Sequence, residues 1–442
     1  MDLLSHLPPL PVVNVSETRL DNGVRVLTGA MPHHARCHVC VQVRGGPVHE
    51  NDETWGLSHV IEHMVFRGTA QHADARAVGL AADDFGGDIG AATYRDRVTY
   101  DTRCDPDGVA AAMTLLADML GAPRFEGLST ELSIIEEELA ELYDDDGQEI
   151  DIDNAAFRQL FAAHPLSRSI EGTPAVVKKI TPALVEKFHK QWYRGGNIVI
   201  SVAGPVEHAA VVAAATAAFG ALPSGESPAF GTPPSLQQHQ TKDVVVIKTD
   251  DAQTSVRLTF VTPGFTAEDA VVYAMLGRVL DDGPASRLQQ EVIDRDGLAY
   301  SAWAMSDLYE AHGMIELAGA VRHDRVAALV KAFAQQMQAL VKEPPAASEL
   351  ERIVKRVWRD TRDLLDDPGS VADAIGKGAL FGQPFSAALQ VSRFASVTPE
   401  AVQAAARRAA QHPHLVLVGL PRKQDIAHAR THLAQLVAST SV

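Results

Sequence analysis

Residues 222–241 are rich in Pro, Gly, Ser and Gln and lack apolar periodicity, and they separate two halves of the chain that run through the same succession of elements. That repetition restricts the fold more than any other feature. Alternating apolar residues predict strands at 23–31 and 37–44 in the first half and at 243–249 and 254–262 in the second. A helix follows in each half. Next come paired strands at 87–94 and 97–103 against 298–306 and 313–320, then amphipathic helices at 106–120 and 323–341. Both halves also close alike: Thr181-Pro182 and Thr398-Pro399 each give an N-cap followed by proline at the first helical position, and each helix leads into a strand, at 197–204 and 414–419. The expectation is an α+β chain of two similar domains in tandem, 1–221 and 242–442, joined by a linker at 222–241, each a mainly antiparallel sheet packed with helices.

With 442 residues, 46% hydrophobic and 21% charged, the chain can bury the cores that two such domains need. No apolar run is long enough to cross a bilayer, and the first residues lack a basic stretch followed by an apolar one, so a cytoplasmic protein without a membrane partner is expected. Lys and Arg number 39 against 56 Asp and Glu, a formal net charge of −17 that repels polyphosphate and excludes nucleic acid as a partner. The same charge would concentrate basic peptides, although it serves equally well as a solubility device. Three cysteines argue against a disulfide framework. Cys37 and Cys40 form a lone C-x-x-C, but alternation through Cys37-His38-Val39-Cys40 sends the two thiols to opposite faces of a strand.

The chemistry concentrates in Gly56-Leu57-Ser58-His59-Val60-Ile61-Glu62-His63-Met64-Val65-Phe66-Arg67-Gly68, whose apolar residues recur at helical spacing, with Gly68 placed where a helix would stop. On a helix His59 and His63 lie one above the other, so both imidazoles can reach one ion, while Glu62 stands beside them free to act as a base. A helix with two surface histidines and an incidental glutamate would carry the same letters. A catalytic zinc also needs a third protein ligand and an open position. The acidic helix from Leu128 to Leu142 offers Glu131 and Glu138, two turns apart beside its apolar face; by itself this helix also reads as a solvated acidic surface.

With these motifs the sequence resembles the pitrilysin, insulysin and mitochondrial processing peptidase family, the inverzincins, in which H-x-x-E-H is followed some seventy-odd residues later by a glutamate. The resemblance extends to Gly86-Gly87-Asp88-Ile89-Gly90-Ala91-Ala92-Thr93-Tyr94, His164-Pro165-Leu166, Gly172-Thr173-Pro174, Phe188-His189-Lys190-Gln191-Trp192-Tyr193 and Gly297-Leu298-Ala299-Tyr300-Ser301. It implies a zinc endopeptidase with one Zn2+ per chain, held by His59, His63 and Glu138, with Glu137 the ligand if the register slips by one. It implies that Glu62 takes a proton from the attacking water, that Glu131 supports the site from behind, and that a peptide substrate adds as a strand along Gly90, Ala91, Ala92 and Thr93.

Two departures qualify this expectation. Gly90 stands where the family usually has Asn. Family members that work alone also pair a tyrosine with an arginine seven residues earlier, whereas this chain keeps Tyr300 but has Ile293 at the arginine's place, and an apolar side chain cannot donate to a carbonyl. Arg295 is the nearest substitute in sequence. Short relatives work as two-chain clamshells, so the resemblance implies half of a clamshell whose homologous partner subunit supplies the Arg/Tyr pair. An autonomous homodimeric peptidase and a non-catalytic scaffold subunit are the alternatives. His33, His34, His412 and His414 sit in loop-like contexts and read as surface residues.

Overall fold

Strands form where β-branched and small apolar residues alternate or run together, and they assemble into two sheets, one per half. The computed structural model describes residues 6–225, 244–295 and 297–441, so most of the predicted linker, residues 226–241, lies outside the described residues. The first sheet contains β1 (Asn14–Arg19), β2 (Arg25–Ala30), β3 (Cys37–Arg44), β4 (Ile89–Thr93), β5 (Arg97–Cys104) and β6 (Ile198–Gly204) in the order β1-β2-β6-β3-β5-β4. The second contains β7 (Val244–Ile247), β8 (Thr254–Pro263), β9 (Ala302–Leu308), β10 (His312–Val321) and β11 (His414–Val418) in the order β7-β11-β8-β10-β9. From β2 onward the two sheets match strand for strand. Each has one parallel pairing, β2 with β6 and β7 with β11, and the remaining pairings are antiparallel.

Two elements differ from expectation. β1 is not anticipated by the sequence because Asn14-Val15-Ser16-Glu17-Thr18-Arg19 carries no apolar alternation; it is a largely exposed edge strand held by its ladder to β2. The strand expected at 298–306 begins only at Ala302. Ala302 already lies opposite Gly319, close to the end of β10, so residues before it have little ladder left to join. Leu298 and Ala299 pack instead against the second core, Leu298 N donating to Val292 O at 3.0 Å, after a π-helical turn at Gln289–Arg295.

Each half covers the outer face of its sheet with its own helices, and each lends a helix to the other. The inner face of the first sheet, at Leu27, Cys40, Val199 and Ala203, packs against Val371, Ala372, Ile375, Leu380 and Phe381, from or adjoining the helix Pro368–Leu380 of the second half. Reciprocally, Ala155 and Ala156 of the helix Ile152–Phe161 pack on Ile247, Val416 and Val418, and Phe157, Leu160 and Phe161 on Met314. Burying Val371, Ile375, Leu380 and Phe381 is worth about 6–12 kcal/mol, comparable with the net stability of a whole domain, so neither sheet is complete without the opposite half. The approach is close: Ser201 Oγ donates to Ala372 O at 2.7 Å, and a Cβ on Gly376 would lie 2.7 Å from the same hydroxyl. Cys37 belongs to the outer core and Cys40 to the inner one, the opposite faces that alternation requires. No helix among the described residues is long and apolar enough to cross a membrane.

Candidate metal centre and active site

The helix Leu57–Met64 lies on the outer face of the first sheet because Leu57, Val60, Ile61 and Met64 are fully buried on one side of it. Its start is closely constrained. Gly56 adopts φ 89°, and a Cβ there would lie 2.8 Å from Glu171 O, so only glycine fits. Glu50 then reaches over the helix N-terminus, accepting from Gly56 N at 2.7 Å and from Ser58 N at 2.8 Å, while the Ser58 hydroxyl accepts from Gly46 N at 2.9 Å. Burial pushes the Glu50 carboxyl up to about 7 against the opposing pull of those donors. The sequence hides this role because Glu50-Asn51-Asp52-Glu53-Thr54 looks like a polar loop. The helix ends at Met64, four residues before Gly68, and Phe66 and Arg67 continue as a turn, with Arg67 N donating to Met64 O at 3.1 Å.

The opposite side of this helix meets the helix Leu128–Ala140, whose buried Leu128, Ile135 and Leu139 fix its rotation. Three donors converge there. His59 Nε2 and His63 Nε2 are 3.2 Å apart, His59 Nε2 is 3.7 Å from Glu138 Oε2, and His63 Nε2 is 3.8 Å from Glu138 Oε1. Among the described residues these are the His, Cys, Asp and Glu side chains whose ligand atoms cluster as a metal would require. Four ligands at zinc bond lengths of about 2.0–2.2 Å lie about 3.3–3.6 Å from one another, so the donor types and spacings fit that ion. Burial, with His63 as neighbour, lowers the His59 pKa to about 4, which keeps its imidazole neutral and available as a ligand. The Glu138 side chain is 43% accessible and forms the open side of the cluster. Glu137 is exposed and does not join it.

Behind the cluster, His63 Nδ1 lies 3.1 Å from Glu131 Oε2, and Arg67 forms an ion pair with the other oxygen of the same buried carboxylate. In front, Glu62 accepts a hydrogen bond from the Thr93 hydroxyl, and burial raises its pKa. Thr93 ends β4, the strand that closes the sheet order, so Gly90, Ala91, Ala92 and Thr93 pair with β5 on one side and lie on the sheet edge on the other. The family resemblance implies an edge at these four residues but gives no sign of the Thr93–Glu62 bond, which needs the register of two elements at once.

The second half contributes differently. Tyr300 is 97% exposed in the segment before β9, and Ile293 is partly buried against the second core. Arg295, exposed on the π-helical turn, forms an ion pair with Glu291. The structure therefore brings together His59, Glu62, His63, Glu131, Glu138 and Thr93, and places Tyr300 on the surface of the other half. His33 and His412 are exposed, but His414 is not the surface residue expected: it opens β11 half-buried, and burial lowers its pKa to about 4.

Comparison with known proteins adds independent findings. Residues 25–174 match the family model described as Insulinase (Peptidase family M16), and residues 179–357 match Peptidase M16 inactive domain. The histidines and the glutamate of the cluster all fall in the first match. The chain is 28% identical over 418 residues to an uncharacterized zinc protease of Streptomyces coelicolor, covering 92% of this chain and 89% of that one. Identity to the mitochondrial-processing peptidase subunit beta of Dictyostelium discoideum is 34% over 200 residues, 44% of this chain and 41% of that one. Two solved structures share the fold: a protease from Helicobacter pylori, with TM-score 0.83 and 20% identity over 92% of this chain and 100% of that one, and a peptidase M16 inactive domain from Pseudomonas fluorescens, with TM-score 0.82 and 21% identity over 93% and 99%.

Proposed function

Because the chain belongs to the peptidase M16 family, we propose that it is the zinc-bearing subunit of an endopeptidase that hydrolyses peptides or unfolded segments, with His59, His63 and Glu138 holding one Zn2+. The observation that carries this reading is the triangle of donor atoms with sides of 3.2, 3.7 and 3.8 Å, two imidazoles and one carboxylate, beside the Glu62 carboxylate, which stays out of it. Zinc bound there supplies a water of lowered pKa and polarises the scissile carbonyl. Glu62 accepts the proton of the attacking water and returns it to the leaving amine, and its raised basicity follows from burial. Thr93 holds that carboxylate at the end of the edge strand. A peptide added along Gly90–Thr93 would be gripped through its main chain, which tolerates many sequences.

The same proposal assigns the chain a partner. Ile293 is turned toward the core and Tyr300 stands in solvent, which supports a homologous subunit that supplies an Arg/Tyr pair across a clamshell. Purified chain alone is expected to bind zinc and to cleave peptides weakly, with strong cleavage appearing on addition of the homologous subunit. Full activity of the chain alone would instead make it an autonomous peptidase, and a chain that binds no zinc would be a scaffold.

A further inference from the structure

Resting on the reading of His59, His63 and Glu138 as ligands, the geometry points to Arg67 as a positioning residue for the metal: its guanidinium holds the buried Glu131 carboxylate where it accepts the Nδ1–H of His63, leaving that ring's Nε2 lone pair aimed into the donor triangle. The Glu131 side chain is only 4% accessible, and a carboxylate taken so far out of water needs charged or hydrogen-bonding partners. It has one on each oxygen, His63 Nδ1 at 3.1 Å from Oε2 and the Arg67 guanidinium at Oε1. A carboxylate facing a guanidinium acts as an acceptor, so His63 carries its proton on Nδ1.

The placement of Arg67 makes it more than a surface ion pair. It lies four residues after His63, in the turn that follows the motif helix, while Glu131 is in the first turn of the helix that supplies Glu138 two turns later. One side chain thus ties together the two elements that bring the ligands. His59 has no such support. Its Nδ1 is buried, and among the described residues nothing accepts a hydrogen bond from it. The two imidazoles are held unequally: His63 is fixed by a chain of two charged groups, and His59 by packing.

The test measures zinc affinity by chelator competition and the His63 tautomer in zinc-free protein by 15N NMR of the imidazole. Arg67→Gln weakens zinc by about 10- to 100-fold, the usual cost of losing support behind a metal ligand, and mixes the His63 tautomers. Arg67→Lys restores most of the affinity. In a Glu131→Gln background the Arg67→Gln change adds less than about twofold, because no buried charge remains for the arginine to compensate. The inference is overturned if Arg67→Gln binds zinc within about twofold of wild type with the Nδ1–H tautomer unchanged. It is equally overturned if Arg67→Gln costs as much in the Glu131→Gln background as in wild type, the behaviour of a simple clamp between helices. Should Arg67→Gln fail to fold, the comparison of Glu131→Gln with the double variant decides. Wild-type protein that takes up no zinc would defeat the ligand reading, while the tautomer in zinc-free protein would still decide the role of Arg67.

Discussion

The helix Leu57–Met64 and its counterpart Ala270–Leu280 occupy the same place in two matching sheets, each following the third or equivalent strand, yet they are built from opposite chemistry. The first buries four apolar residues and turns His59, Glu62 and His63 toward a neighbouring acidic helix. The second buries Tyr273, Met275, Leu276, Val279 and Leu280 and offers no such cluster among its described surroundings. A duplicated scaffold can therefore be read as a controlled experiment. Where the two halves agree, the residues serve the fold; where they differ, they serve chemistry on one side and packing on the other.

The strongest way to break this comparison is to separate the halves. A fragment of residues 1–221 loses the helix Pro368–Leu380 and exposes the inner face of its sheet, so it is expected to be insoluble or unfolded by circular dichroism and ultracentrifugation. A monomeric fragment with a cooperative thermal transition would show that the halves are independent. Next comes the motif helix. Glu62→Gln is expected to lower kcat on a fluorogenic peptide by about 10²- to 10⁴-fold while zinc content stays at the wild-type level, since the residue moves protons and does not ligate. Equal turnover would remove Glu62 from the chemistry.

The counterpart helix sharpens the contrast. Met275 is fully buried, so Met275→Ala is expected to cost about 2–5 kcal/mol in denaturant titration while leaving zinc affinity unaltered. A smaller effect comes from His189, which is buried, bonds Leu120 O at 2.8 Å through Nε2, and has its pKa lowered by burial to about 4. A histidine depressed in the fold contributes stability that is full above its unfolded pKa of about 6.5 and is lost as pH falls from there toward 4. The slope from this group should approach about 1.4 kcal/mol per pH unit in that window and disappear in His189→Gln; an unchanged slope would assign the acid sensitivity to other groups.

How much of this is legible in the sequence depends on how local each cause is. The strands from β2 onward and the helix carrying His59 and His63 follow from periodicity, because side-chain direction repeats every two or every 3.6 residues. The order of elements also announces two similar units. The exchange of helices between them is not legible: an apolar face on Ile152–Phe161 or Pro368–Leu380 says that something covers it, and not which sheet does. Periodicity sets Glu131 and Glu138 beside the apolar face of their helix but does not say what that edge meets; only the packing of Leu128, Ile135 and Leu139 turns Glu138 toward the histidines. The roles of Glu50, Arg67 and Thr93 are hidden for the same reason, since each acts through a residue distant in sequence or on another element.

The most direct test of the account is the zinc content and zinc affinity of wild-type protein beside Glu138→Ala and Glu62→Gln, measured by elemental analysis and chelator competition. One zinc per chain is expected in wild type and in Glu62→Gln at equal affinity, with binding weakened by at least about 100-fold in Glu138→Ala. A folded Glu138→Ala protein that holds zinc as tightly as wild type would contradict the assignment of the three ligands.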